Sequence, residues 1–482
     1  MPEKTTASEV SLGAETVKAT AAKFSMAAIG FVGTIIFARM LGPQKFGAYY
    51  LLFALVKIAD LPIEGWSMAA KKRFSEQGAQ ISEIVGGQFV FVFAWIALGT
   101  LVALLTGSYI VSYTGVAVAV PLFIALLGGE AVYVSAERLL QSRGLVGKAT
   151  WIDALRSYVT FGLQLALVLA GWGVAGMAYG LAVASVVVAP LTLYFVGVRP
   201  EVPSRETLAS QWEYARYSVL SALFGRVYER FDVLLLGYLL GPTAAGWYEV
   251  AYKLVTPAKF VAETASSGLM ARVSNLSSRG KELNEDVTNV LSYASILSVP
   301  IFFGGLAISE PLVVTIYGLA YAKAAPLLIV IALYHVVMTQ NMPLEQTIYG
   351  LDLPRRLSVI SAGTVILNIV LGFALVPIVG AVGAALSSLV AETVSYLLLR
   401  YSLNQMANEI EFMSSTFLKQ CLAGCMMVSL LYLVYGWNLQ AGILSIAPAL
   451  MVGAVIYFTI LLTVSNEVRI TVRSVITEIF IS

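Results

Sequence analysis

Residues Ser221–Pro242 read SALFGRVYERFDVLLLGYLLGP, a stretch long enough to cross a bilayer that nevertheless carries Arg226, Glu229, Arg230 and Asp232 in its middle. A charge near the bilayer centre costs roughly 2.5–3.5 kcal/mol on insertion scales, so four facing lipid would oppose insertion by about 10 kcal/mol. At 100° per residue the four fall within one arc of roughly 160°. That arc is expected to face protein or water. The stretch ends in Leu-Gly-Pro, and an earlier part of the chain has the same ending.

Working outward, 59% of the 482 residues are hydrophobic, 12% are charged, and the mean hydropathy is +0.83. This composition belongs to a polytopic membrane protein, not a soluble domain. The net charge of +2 is spread through short loops, so nothing points to nucleic acid. Cys421 and Cys425, four apart in an apolar segment, read as small packing residues rather than a disulfide or metal pair. No cleavable signal follows the first apolar segment, which is too long for one.

Apolar segments near 23–39, 46–69, 84–106, 114–137, 150–170, 173–197 and 216–240 are followed by others near 244–270, 288–309, 324–349, 357–377, 380–401, 416–436 and 441–464. The expected fold is therefore all-α and polytopic, with 14 transmembrane helices. The fifth and sixth segments, and the eleventh and twelfth, are joined tightly enough to resemble single long helices. With the N-terminus inside, about 21 basic residues fall in inside loops and tails, including Lys71, Lys72, Arg73, Arg138, Arg143, Lys148, Arg355 and Arg356. Arg39, Lys45 and Lys323 fall outside. Both termini are then expected in the cytoplasm.

The chain also repeats. Leu41-Gly42-Pro43 with Gly47 and Tyr49 returns as Leu240-Gly241-Pro242 with Gly246 and Tyr248. Gly173-Val-Ala-Gly176, opening the sixth span, returns as Gly380-Ala-Val-Gly383, opening the twelfth, and Gln141 to Gly144 before the fifth span is echoed loosely by Gln346 to Gly350 before the eleventh. Six spans repeat as six spans in the same orientation, an organisation that secondary transporters use with a site between the halves. The expected layout is a cytoplasmic segment 1–22, a six-helix lobe 23–197, a linker 198–215, a second six-helix lobe 216–401, and spans 13 and 14 with a cytoplasmic tail in 402–482.

Ile36-Phe-Ala-Arg39-Met-Leu-Gly-Pro-Gln-Lys-Phe-Gly47-Ala-Tyr49, with Glu229-Arg-Phe-Asp232-Val-Leu-Leu-Leu-Gly237 and Gly241-Pro-Thr-Ala-Ala-Gly246-Trp-Tyr248, resembles the polysaccharide and O-antigen flippases of the multidrug/oligosaccharidyl-lipid/polysaccharide exporter superfamily. Gly30 to Thr34 and Ala69 to Glu76 are most similar to archaeal members. The resemblance implies a V-shaped pair of six-helix lobes around a cavity lined by spans 1, 2, 7 and 8. It implies movement of polyprenyl-(pyro)phosphate-linked glycans from the cytoplasmic to the outer leaflet of the cell membrane by alternating access, for cell-surface polysaccharide or glycoprotein assembly. In related lipid II flippases two extra C-terminal spans form a groove for the lipid tail, the place spans 13 and 14 would take here.

Those four spans hold most of the intramembrane charge. At 1.5 Å per residue, Lys57, Arg226 and Lys253 lie about 14–17 Å deep. Guanidinium groups suit phosphate oxygens and Lys adds point charge, which makes Arg226, Arg230, Lys57, Lys253 and Lys259 the expected substrate-binding residues. Asp60, Asp232 and Glu64 are the expected ion-coupling residues, with a proton or sodium ion as partner. The competing reading is structural: Glu229 and Asp232 neighbour the arginines, Glu249 precedes Lys253 by four, Glu263 follows Lys259 by four, and Asp60 and Glu64 follow Lys57. These are also the spacings of ion pairs that hold helices together. His335, beside Tyr334, reads as a packed, hydrogen-bonded residue, whereas Glu130, Glu345 and Glu392 stand as intramembrane acids without an evident partner.

No GxxxxGK[ST] loop is present, and no nucleophile, base or metal constellation is evident, so neither catalysis nor a cofactor is expected. The expected partners are a lipid-linked glycan and the bilayer, with the protein monomeric. Two rivals remain: a cation-coupled multidrug exporter, which calls for twelve spans and an acid-rich cavity, and a membrane polymerase or ligase, which calls for a large outer loop.

Overall fold

The computed structural model describes residues 12–76, 78–405, 414–436 and 439–470, with side chains from residue 22 onward other than those of 220–226. Among these residues every regular element is a helix. The chain divides into two compact units, Met1–Gly246 and Trp247–Ser482.

The first unit holds α1 (Leu12–Ala59), α2 (Leu61–Phe74), α3 (Ile81–Leu105), α4 (Gly107–Thr114), α5 (Ala119–Ser142), α6 (Val146–Leu169), α7 (Gly173–Val196), α8 (Arg205–Leu240) and the first turn of α9 (Pro242–Ser266). The second holds the rest of α9, then α10 (Leu269–Ser278), α11 (Asn284–Ala294), α12 (Ser298–Tyr317), α13 (Ala325–Gly350), α14 (Pro354–Val379), α15 (Val382–Asn404), α16 (Ser415–Tyr435) and α17 (Ile443–Val464).

Among the described residues, 11 helical segments are long and apolar enough to cross a membrane. The expected spans near 216–240 and 244–270 are helical as α8 and α9. Their charges exclude them from a count made on composition, for the reason that singled out Ser221–Pro242 at the start. The first two expected spans share α1, which is broken in direction at Gly42 (φ 71°, ψ 169°). A second break falls at Asp60, because Pro62 has no N–H to donate to Ile58. The Trp95 indole N–H donates to the neighbouring Ala59 carbonyl at 2.8 Å, so a side chain meets a backbone acceptor beside this break. The tight joins anticipated in the sequence are real turns: positive-φ glycines, among them Gly173 and Gly380, separate α6 from α7 and α14 from α15.

The repeated Leu-Gly-Pro sequences have a common local structure. Gly241 adopts φ 83° and ψ −179°, close to the conformation of Gly42. Both positions demand a residue without a side chain. Four residues beyond each proline, Gly47 and Gly246 face one another. A Cβ on Gly47 would strike the Pro242 carbonyl oxygen, and one on Gly246 would strike that of Pro43. Backbone thus meets backbone where the two motifs cross. Farther along, α2 lies on α8 with Gly65 against the Val219 backbone, and Trp66, Ala69 and Ala215 form a small buried cluster there with Leu208.

The linker between α7 and α8 is shorter than its charged sequence suggests, because α8 begins at Arg205. Ser204 caps it by accepting the Thr207 N–H at 3.2 Å, and Glu83 accepts both the Ser204 N–H (2.8 Å) and the Thr207 hydroxyl (2.7 Å). In the second unit the interruption between α11 and α12 is also bridged by side chains. Gln340 donates to the Leu291 carbonyl (3.0 Å), and Gln420 donates to the Ser292 carbonyl (2.6 Å) while accepting from Ser295 (2.8 Å). Apolar surroundings require such partners for freed backbone groups.

Candidate substrate-binding site

The charge-bearing interior of the first unit is assembled from α1, α5, α6, α7 and α8. Lys57, in the last turn of α1, donates from Nζ to Glu130 Oε2 at 2.7 Å and lies 3.8 Å from Asp60. The other Glu130 oxygen accepts from Arg156 Nη1 on α6 (2.7 Å) and from the Ser185 hydroxyl on α7 (3.1 Å). Arg156 continues the chain to Asp153 at 3.0 Å and lies over the Tyr133 ring, 4.2 Å from its centroid. Glu130 therefore has partners after all, correcting its expectation as an acid standing alone. Its side chain is 3% exposed, and both its oxygens are used.

This arrangement can be rationalised from desolvation. A buried carboxylate between two cations is tolerable when every lone pair is met, and removing one partner exposes the others to the full cost of burial. Sequence separation hid the pair. Glu130 and Arg156 lie 26 residues apart on different helices, and no local spacing relates them.

Arg230 is placed differently. Its guanidinium carbon lies 5.7 Å from the centroid of the Phe53 ring, and the Lys57 ammonium lies 5.4 Å from the same centroid. Two of the expected phosphate-binding cations thus converge on one aromatic side chain from different helices. Among the described residues Arg230 forms no ion pair, and its Nε is buried without a hydrogen-bond partner. The side chain of Arg226 lies outside the described residues. Asp60 and Asp232 are buried, 1% and 7% exposed, whereas Glu64 is half-buried on α2.

In the second unit Lys253 lies 3.4 Å from Glu249, and Lys259 lies 3.7 Å from Glu263, each within one turn of α9. These two pairings read from spacing are therefore formed. His335 is buried, its Nδ1 shares a hydrogen bond with the Ile331 carbonyl (2.9 Å), and Tyr252 and Tyr334 meet its ring edge-on. It is the packed residue that was expected. Glu392, expected without a partner, accepts from Asn341 Nδ2 at 2.7 Å.

A chain of membrane-length helices, with backbone breaks bridged by side chains and with cations and acids gathered in its interior, has the form of a polytopic transport protein. The chain belongs to the polysaccharide biosynthesis protein family, whose model matches residues 36–326. It is similar to two proteins of Haloferax volcanii: "Probable low-salt glycan biosynthesis flippase Agl15", 25% identical over 94% of this chain and 96% of the relative, and "Probable flippase AglR", 26% identical over 93% and 95%. In fold it is similar to the lipid II flippase MurJ in an inward closed conformation, with a TM-score of 0.77 over 97% of this chain and 100% of that one, at 14% identity.

Proposed function

We propose that this protein is a flippase that carries a polyprenyl-(pyro)phosphate-linked glycan from the cytoplasmic to the outer leaflet by alternating access, moving its substrate without transforming it. The observation that carries the reading is the convergence of Lys57 and Arg230 on Phe53, with Arg230 free of a carboxylate among the described residues. A phosphate with several oxygens suits such a pair, since a guanidinium offers a planar fork and an ammonium a compact charge. The names of the two Haloferax relatives support the glycan, and the fold likeness to a lipid II flippase supports the lipid carrier.

In this reading the membrane is crossed fourteen times. The two halves of α1 separated at Gly42 provide two crossings, the second continuing into α2, while α8 and α9 cross despite their charges. Six-helix lobes occupy 23–197 and 216–401, and both termini are cytoplasmic. Arg226, Arg230 and Lys57 meet the phosphate. Lys253 and Lys259 contribute by exchanging their acid partners for substrate, and Asp60, Asp232 and Glu64 take up the coupling proton or sodium ion. A cavity of about 370 Å³ within the second unit, lined by Glu310 and Val314 of α12, Leu431 and Tyr435 of α16 and Ala449 of α17, is as polar as it is apolar, and its apolar part is the place proposed for a polyprenyl tail.

The test is reconstitution in liposomes with a short-chain polyprenyl-phosphate sugar, scoring its access to the protected leaflet. Wild type is expected to translocate, and Arg226→Ala/Arg230→Ala at matched folded yield is expected to lose most of that rate. Equal rates would remove the arginines from substrate handling. No translocation by wild type under any imposed proton, sodium or potential gradient would overturn the flippase reading.

A further inference from the structure

Resting on the flippase reading, we propose that Phe53 is a positioning residue for transport: its ring holds Arg230 beside Lys57, so that the substrate phosphate meets both cations. Phe53 lies one helical turn before Lys57 on α1, so the two share a helix face. The ring-to-cation distances of 5.4 Å for Lys57 and 5.7 Å for Arg230 are both inside the roughly 6 Å over which an aromatic quadrupole attracts a cation.

The ring itself is held firmly. Phe53 stacks on Tyr49 with centroids 6.1 Å apart and planes 13° from parallel, and Tyr49 is buried against Tyr50. The Tyr49 hydroxyl accepts from Gln164 Nε2 at 3.5 Å. Phe53 is only half-buried, which leaves part of it accessible beside the cations.

The two cations depend on the ring to different degrees. Lys57 is also gripped by Glu130, so its ammonium stays in place without help from Phe53. Arg230 has no carboxylate partner among the described residues, and the ring is what orients its guanidinium. Like charges sharing one ring repel each other, and an anion bridging them relieves that repulsion. The ring thus keeps Arg230 beside Lys57 when no substrate is bound. No carboxylate at this position would serve, since it would neutralise Arg230 and compete with the phosphate.

The experiment measures initial translocation rate against the concentration of a short-chain polyprenyl-phosphate sugar in proteoliposomes. Phe53→Leu is expected to raise the half-saturating concentration roughly five- to tenfold with a smaller effect on the maximal rate, and Phe53→Trp is expected to restore it. Because Leu also alters packing, phenylalanines carrying one, two and three ring fluorines are incorporated at position 53. They weaken the quadrupole stepwise at nearly constant shape. A stepwise rise in half-saturating concentration with fluorination supports the proposal. A flat series, or wild-type behaviour of Phe53→Leu while wild type itself translocates, overturns it and leaves the flippase reading intact. Absence of translocation by wild type overturns both.

Discussion

Replacing Glu130 by Gln keeps the side-chain shape while removing the charge that joins α1, α5 and α6. The carboxylate is 3% exposed and bonds Lys57 Nζ and Arg156 Nη1, each at 2.7 Å. An amide presents an oxygen to only one of these cations and turns its NH2 group towards the other. Breaking one side of a buried ion pair costs about 3–5 kcal/mol. Here the lower end applies, because Lys57 retains Asp60 at 3.8 Å and Arg156 retains Asp153 at 3.0 Å. A loss of about 3 kcal/mol corresponds to a drop of roughly a hundredfold in the folded-to-unfolded ratio. The assay is unfolding of the purified protein in mixed detergent micelles with increasing denaturing detergent, followed by far-UV circular dichroism. The same measurement on Lys57→Met and on the double variant isolates the coupling between the two residues. The expected result is a double variant less destabilised than the sum of the singles. Stability of Glu130→Gln within about 1 kcal/mol of wild type would refute the reasoning, because it would mean that water already screens the cluster.

Two further outcomes follow from the backbone. Gly47→Val drives a side chain into the Pro242 carbonyl, and Gly246→Val drives one into that of Pro43; each should lower stability by roughly 1–3 kcal/mol or more, with the double variant less than additive because one separation relieves both, as melting temperatures of the four proteins would reveal. Gln420→Leu leaves the Ser292 carbonyl and the Ser295 hydroxyl without their partner at the interruption between α11 and α12. About 1–3 kcal/mol should be lost there, with faster amide hydrogen exchange over 292–298 and unchanged exchange in α14, read by mass spectrometry.

Local spacing and composition determined much of this protein. The run of apolar segments specifies a helical membrane protein, since a backbone leaving water must satisfy its polar groups within each segment. The i,i+4 pairs Lys253/Glu249 and Lys259/Glu263 are legible for a similar reason, as one turn of helix brings them together wherever that helix lies. The repeated glycines were legible as repeats, and a Gly-Pro step after an apolar run already marks a break. Their mutual contact, with Gly47 against Gly246, was not.

Only the tertiary structure decided which interior charges meet. Glu130 finds Lys57 and Arg156, Glu392 finds Asn341, and Arg230 settles on Phe53, which carries no charge to distinguish it among the 22 phenylalanines of the sequence. Such partnerships depend on the depth and rotation of each helix about its axis. Hydropathy is almost indifferent to either. They are set by close backbone approaches such as Gly65 against Val219, which fix how neighbouring helices face one another and so determine which side chains share a buried space.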